Sequence, residues 1–259
     1  MWPFTKRSAI KRGPAGSRPA RKAEKAHVPH VVGSVSVGER AVPLVARQSR
    51  RARRVALNID PVEDAVELVL PRGVPLNEGL RFAEQKAGWI QSRLALRPPK
   101  VAFEPGAVIP YLGIDHVIEH RPDARAGVWR AESRVCVSGH ADFTSRHVQD
   151  WLKAEALREL TERSHEKAAQ LGRRVKHVRL RDPKGRWGSC GPDGAINYSW
   201  RLILAPELVL DYVVAHEVAH IIHNNHGVRF WRLVARLTPE MEASRDWLSH
   251  HGDRLMRYG

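Results

Sequence analysis

Cysteine is almost missing from this chain: its 259 residues include only Cys136 and Cys190. So few thiols exclude a disulfide framework and a cysteine-rich zinc module, and they point to a reducing, cytoplasmic location. No run of about 18 apolar residues occurs, so a membrane span is not expected. The opening "MWPFTKRSAIKRGPAGSRPARKAEKAH" lacks the apolar stretch of a secretory signal. Acids are scarce beside bases. Against 43 Lys and Arg stand only 28 Asp and Glu, a formal charge of +15.

What is present is enough for a folded protein. Hydrophobic residues make up 42% of the chain, which supports a core in one large domain or two small ones. The charge is uneven. Residues 1–27 hold eight Lys and Arg against Glu24 alone, on a Pro/Gly/Ala-rich segment that cannot bury enough to fold. Residues 1–29 are therefore expected to be a disordered basic tail. It is either solvated or in weak, sequence-independent contact with nucleic acid or another anionic surface. An Arg-rich, acid-poor start is also similar to an organelle transit peptide, though nothing downstream supports that.

Residues 31–70 alternate like strands, and "PLNEGLRFAEQKAGWIQSRLAL" reads as one helix. Leu80, Ala83, Ala87, Ile90 and Leu94 fall at helical spacing, Asn77 is the candidate N-cap, and Pro98-Pro99 ends the helix. "IPYLGIDHVIEHR" and "SRVCVSG" read as strands, with "RPDARAGVWRAE" a loop or irregular strand between them. These elements predict a β-rich lobe over 30–140. A long helix from about Ser145 to Leu171 comes next, with Val148, Leu152, Leu157, Leu160 and Ala168 on or near one face and Gly172 as its stop. After it, strands are expected at 175–181, 186–190 and 195–204, the last two joined as a hairpin through Pro192-Asp193-Gly194. Pro206 starts a helix through His216 and His220, and another covers about 239–250. The fold class is α+β, with the second lobe over 141–259, and no internal repeat is visible.

The segment "AHEVAHIIHNNHGVRFW", 215–231, packs four histidines and a glutamate closely. His216 and His220 are four apart, so on a helix they share a face and can hold one ion. Glu217 comes directly after the first of them and suits a general base, the H-E-x-x-H arrangement of zinc hydrolases. Polar groups in so apolar a helix are costly unless something satisfies them. A catalytic zinc takes three protein ligands and keeps a position for water. His226 lies six residues after His220, the spacing of sites that take a third histidine after a glycine turn. Here His223 stands in the glycine position, while Asn224-Asn225 and Gly227 offer a way to turn. His226 is the candidate third ligand, and His223 is left beside the site or on the surface. One Zn2+ per chain is expected.

"RWGSC" (186–190), "WRLILAP" (200–206), "DYVVAHEVAH" (211–220) and "NHGVRFW" (225–231) resemble, in order and spacing, the YgjP-like metallopeptidases. "SRRARRVAL", "VLPRGVP", "AGWI", "IPYLG" and "TPEMEASRDWLSHHG" extend the resemblance over roughly 45–255. It implies a zincin-like lobe, with a small antiparallel sheet beside the metal helix, His216, His220 and His226 as ligands, and Glu217 as base. The activity implied is peptide-bond hydrolysis of a peptide or protein substrate. "INYSW" departs from the pattern, with Ser199 where the family more often has asparagine.

Several other residues have two readings. Tyr212 is an oxyanion donor or helix packing, and Cys190 a ligand or nucleophile or a small buried side chain. Trp187, Trp200, Phe230 and Trp231 read as core around the metal helix. Arg179, Arg181, Lys184 and Arg186 form a solvated face or a surface for acidic partners. The segment around Arg186–Cys190 is the candidate edge for a substrate bound as an added strand, with Gly188 allowing close approach. Two rival classes remain: a DNA-associated protease resembling the SprT-type enzymes, and a non-enzymatic zinc module that binds nucleic acid.

The tail generates one prediction. Nucleic-acid affinity measured by anisotropy should be weak and fall steeply with salt, and deleting residues 1–27 should flatten that slope. Sequence-selective binding that survives both changes would contradict it.

Overall fold

The structure is a computed structural model and describes residues 30–259. The expected basic tail, 1–29, lies outside the described residues. The fold is mixed α+β, and it divides into two compact units at Arg97/Pro98.

In the described part of the first unit, strands β1 (His30–Val37), β2 (Arg40–Ser49), β3 (Ala56–Ile59) and β4 (Val66–Pro71) form a sheet in the order β1-β2-β4-β3. Neighbours are antiparallel except for parallel β2 and β4. Alternation along the strands buries Val35, Val42, Leu44 and Val66 on one face, which receives Ala83 and Ile90 from the helices. The expected single helix is two, α1 (Leu76–Gln85) and α2 (Ala87–Ala95). Lys86 ends one and begins the other, with non-helical φ −102° and ψ 11°. The N-cap is Pro75, not Asn77. Asn77 lies inside the first turn, where its side-chain oxygen accepts the Glu78 N–H at 2.9 Å.

The second unit opens with β5 (Val108–Tyr111), β6 (Ile114–His120), β7 (Val128–Ala131) and β8 (Arg134–Val137). Their order, β5-β6-β8-β7, and their pairing directions repeat those of the first sheet. The sequence shows no such repeat, because strand order is set by backbone pairing that many different side chains permit. This sheet also corrects the expected boundary near 140. Leu112 N–H donates to the Ile203 carbonyl at 2.7 Å, and Tyr111 Oη donates to Glu155 Oε2 at 2.7 Å. Residues 98–140 therefore belong with the helices and small sheet C-terminal to them.

The long helix α3 (Thr144–Gln170) carries a buried row of Val148, Leu152, Ala156, Leu160, Ser164 and Ala168. Leu157, expected in that row, is exposed because the i, i+4 succession places Ala156 there instead. The three strands after it, β9 (His177–Arg181), β10 (Gly188–Cys190) and β11 (Ala195–Ser199), lie in the order β10-β11-β9. The expected hairpin is β10/β11, whereas β9 runs parallel to β11, so the small sheet is mixed and not wholly antiparallel. The expected strand to residue 204 stops at Ser199, whose hydroxyl accepts the Arg201 N–H at 3.3 Å and starts a 3-10 turn over Trp200–Leu204. That turn is wholly buried, which accounts for an apolar run that looks like strand.

The remaining helices are α4 (Glu207–Ala219), α5 (Val228–Leu237) and α6 (Met241–Leu255), of which α5 was not anticipated. One buried cation ties three of the four helices. Lys167 of α3 pairs with Asp211 of α4 at 2.9 Å and donates to the carbonyl of Leu237, at the end of α5, at 2.8 Å. Replacing it by methionine leaves a carboxylate and a carbonyl short of a donor. Lys167→Met is expected to cost about 2 kcal/mol, a fall in Tm of roughly 4–8 °C. The double variant Lys167→Met/Asp211→Asn should recover part of that loss in calorimetry, since it removes the orphaned charge.

Candidate active site

Helix α4 is nearly all core. Pro206 caps it in an extended conformation, and from Val209 to Glu217 only Asp211 reaches the half-exposed range. A helix apolar all round must be covered on every side, and α3, α5, α6 and β10 all pack against it. His216 and Glu217 sit in its last turn, both buried. His220 is the C-cap. Past it the chain tightens instead of using a glycine: His220, Ile221 and Ile222 N–H donate to the carbonyls of Glu217, Val218 and Ala219. Gly227 has φ −77° and caps α5, so its conformational freedom is not what makes the turn.

That turn brings His226 back to the helix. One ring nitrogen from each of His216, His220 and His226 lies within 4.8 Å of the others, and among the described residues this is the one such cluster. His226 Nε2 is 3.2 Å from His216 Nε2. His220 Nδ1 is 3.0 Å from the His223 carbonyl, which fixes that ring and leaves its Nε2 for the cluster. The His223 side chain is outside the cluster; its carbonyl is the part that serves it. Phe230 of α5 floors all three imidazoles, with ring centroids 4.6–4.9 Å away. Burial keeps the rings neutral. It lowers His216 to about 3, helped by His220, His226 and Arg245, and it also lowers His220 and His226. Neutral imidazoles present lone pairs to a cation.

Glu217 faces β10. Its carboxylate accepts the backbone N–H of Cys190, while burial pushes its pKa up to about 8 against the pull of Arg186. A Cβ on Gly188 would lie 2.6 Å from both Cγ and Oε1 of Glu217. The missing side chain at 188 is therefore room for Glu217. The expectation that Gly188 admits an incoming chain is displaced by this contact. Strand β10 is an edge strand, as expected, but one of its outward amides is already given to Glu217.

The YgjP-like metallopeptidase domain matches residues 53–251. The chain belongs to that family. Its match runs across both compact units and carries with it a metallopeptidase-type activity on peptide or protein and a metal cofactor, for which the three clustered histidines offer a place. Searches of curated proteins and of solved structures find no match. No described helix is long and apolar enough to cross a membrane.

The other weighed residues fall on the quieter side. Tyr212 is buried edge-on to His216 at 6.1 Å, and burial raises its phenol to about 12. Cys190 is half-buried with its thiol pushed to about 11 by burial, Glu217 and Asp193, so it stays protonated and a poor nucleophile. Trp187, Trp200 and Phe230 are core, and Trp231 is half-buried beside His216 and His226. Arg179, Arg181, Lys184 and Arg186 are exposed; Arg186 is the one whose charge acts on Glu217. Ser199 caps the 3-10 turn. Sequence reading missed the Cys190 amide, since a backbone donor leaves no side-chain signal.

Because an added Cβ must move Glu217, Gly188→Ala is expected to lower kcat about a hundredfold or more on any peptide that is cleaved, with KM little changed and bound metal retained. A rise in KM with kcat preserved would return Gly188 to the role of admitting substrate.

Proposed function

We propose that this protein is a zinc-dependent metallopeptidase, with one Zn2+ per chain held by His216, His220 and His226 and with Glu217 as general base. The clustered imidazoles carry this reading. Two nitrogens on one tetrahedral zinc, each about 2.0–2.1 Å from it, are about 3.3 Å apart, and the His216 and His226 Nε2 atoms are 3.2 Å apart. Three neutral nitrogens with a backbone-anchored ring are a donor set that suits zinc. Only three ligating groups gather among the described residues, which favours a site open to water and substrate over a fully ligated structural one.

When bound, zinc polarises a carbonyl and lowers the pKa of a coordinated water towards about 7. The protein supplies the proton path. Burial and the Cys190 amide hold the Glu217 carboxylate in one place, near a pKa at which a carboxyl group both takes and gives a proton around neutrality. Glu217 accepts the proton of the attacking water and passes it to the leaving amine. The neutral rings cannot compete for that proton, since burial lowers all three. Phe230 beneath them excludes water from that side.

Metal analysis joined to a peptide-library digest tests the reading. About one zinc per chain is expected. His226→Ala should lose most of it and His223→Ala should keep it, because the His223 contribution is a main-chain carbonyl; the reverse order would remove His226 from the ligand set. Glu217→Gln should keep zinc and still bind peptide, yet lose turnover by several orders of magnitude. Undiminished cleavage by that variant would refute the assignment of the base.

A further inference from the structure

Helix α5 has two unlike faces. Phe230, Leu233, Val234 and Leu237 are buried, while Arg229, Arg232 and Arg236 are exposed at spacings of three and four. A row of arginines on the wet side of an amphipathic helix is ordinary. These three are distinguished by what lies between them. With Ile222, His223 and Leu233 they line a cavity of about 460 Å³ whose apolar walls come from Ile222 and Leu233. Among the described residues, none of the three makes an ion pair, although elsewhere arginines such as Arg158 and Arg163 are paired repeatedly. Like charges at i, i+3 and i, i+4 repel by a few tenths of a kcal/mol each, so the row is a small cost that an anion would reverse.

The cavity also joins the histidine cluster through the chain. Its wall residue His223 is the one whose carbonyl holds the His220 ring, and Arg229 is the neighbour of Phe230, which floors all three imidazoles. We infer that this cavity is a substrate subsite that takes the acidic side chain of a peptide, Asp or Glu, beside the bond to be cleaved. Guanidinium forks match a carboxylate in two-point contacts, and the apolar walls match the methylenes that carry it. A phosphate backbone would use the charge but leave those walls bare. This inference rests on the proposed peptidase reading, and it predicts which peptides that activity prefers.

Exposed charge pairs contribute about 0.2–1 kcal/mol each, so three arginines together supply about tenfold discrimination, roughly 1.4 kcal/mol. The probes are a fluorescein-labelled peptide with glutamates on both sides of its centre, its all-glutamine counterpart, and an oligothymidylate. The Glu217→Gln protein, which reports binding without turnover, should hold the glutamate peptide about tenfold more tightly than the glutamine one. The wild type should show the same ratio in kcat/KM. The added substitutions Arg229→Gln, Arg232→Gln and Arg236→Gln should bring both ratios near one, with thermal denaturation and zinc content checking that the fold is intact. Should that triple variant not fold, Arg232→Lys, which keeps the charge and loses the fork, should lower the ratio by itself. Equal binding of the two peptides, with cleavage intact, overturns the subsite and leaves the peptidase standing. Selective binding with no cleavage of either peptide keeps the subsite and overturns the peptidase. Tight oligothymidylate binding that depends on these arginines, without preference among the peptides, overturns the subsite in favour of a nucleic-acid surface.

Discussion

The Glu217 carboxylate rests on the backbone of β10, and the rest of the second unit is arranged to keep it there. A carboxyl group in an apolar helix would otherwise be an uncompensated cost. Here it receives one amide, from Cys190, and meets a residue without a side chain, Gly188. The small sheet therefore works as a backbone wall for one acid. Its position is set by pairing: Gly188 lies opposite Tyr198 and Cys190 opposite Ile196, both wholly buried. Residues directly opposite in an antiparallel pair share a face, so the packing that buries Tyr198 and Ile196 also presents Gly188 and Cys190 to α4.

The histidines depend on the same helix from its other end. His216 and Glu217 are neighbours on a helix and point about 100° apart, which lets one side chain meet β10 while the other meets Phe230. His220 comes one turn after His216 and sits where the helix tightens and stops, so its ring can be anchored by a main-chain carbonyl beyond the helix. Helix α5 then closes the cluster with Phe230 and Trp231. Lys167 matters to this geometry because it holds α4 and the end of α5 through one ammonium group.

The sequence made the histidine cluster legible for a simple reason: the groups that gather are side chains, and their spacing along a helix is regular. The long helix, the β10/β11 hairpin and the candidate ligands are all visible in that way. What is not visible is carried by the backbone or by packing. The glycine at 188 reads as room for another chain because a sequence cannot show which neighbour occupies the space. The run Trp200–Leu204 reads as strand because a buried 3-10 turn and a buried strand have the same apolar composition. The boundary near 140 is misplaced because hydrogen bonds such as Leu112 to Ile203 join residues far apart in the chain. Helix α5 is readable, with apolar residues at 230, 233, 234 and 237, but the histidine run before it masks helical spacing with ligand spacing.

That overlooked helix links the donor set to the arginine-lined cavity. An amphipathic helix has one apolar stripe and one polar stripe, fixed at 3.6 residues per turn. In α5 the apolar stripe is spent on the imidazoles, since Phe230 contacts all three, and the polar stripe consists of Arg229, Arg232 and Arg236 on the cavity. Rotating or shifting α5 would move both sets together. The ring floor and the arginine row are therefore held in a fixed relation by one rigid element, rather than by a loop that could adjust each separately. A site built this way ties its preference for an anionic neighbour to the placement of its donor set, so that a substitution on the buried face, at Leu233 for instance, disturbs both at once.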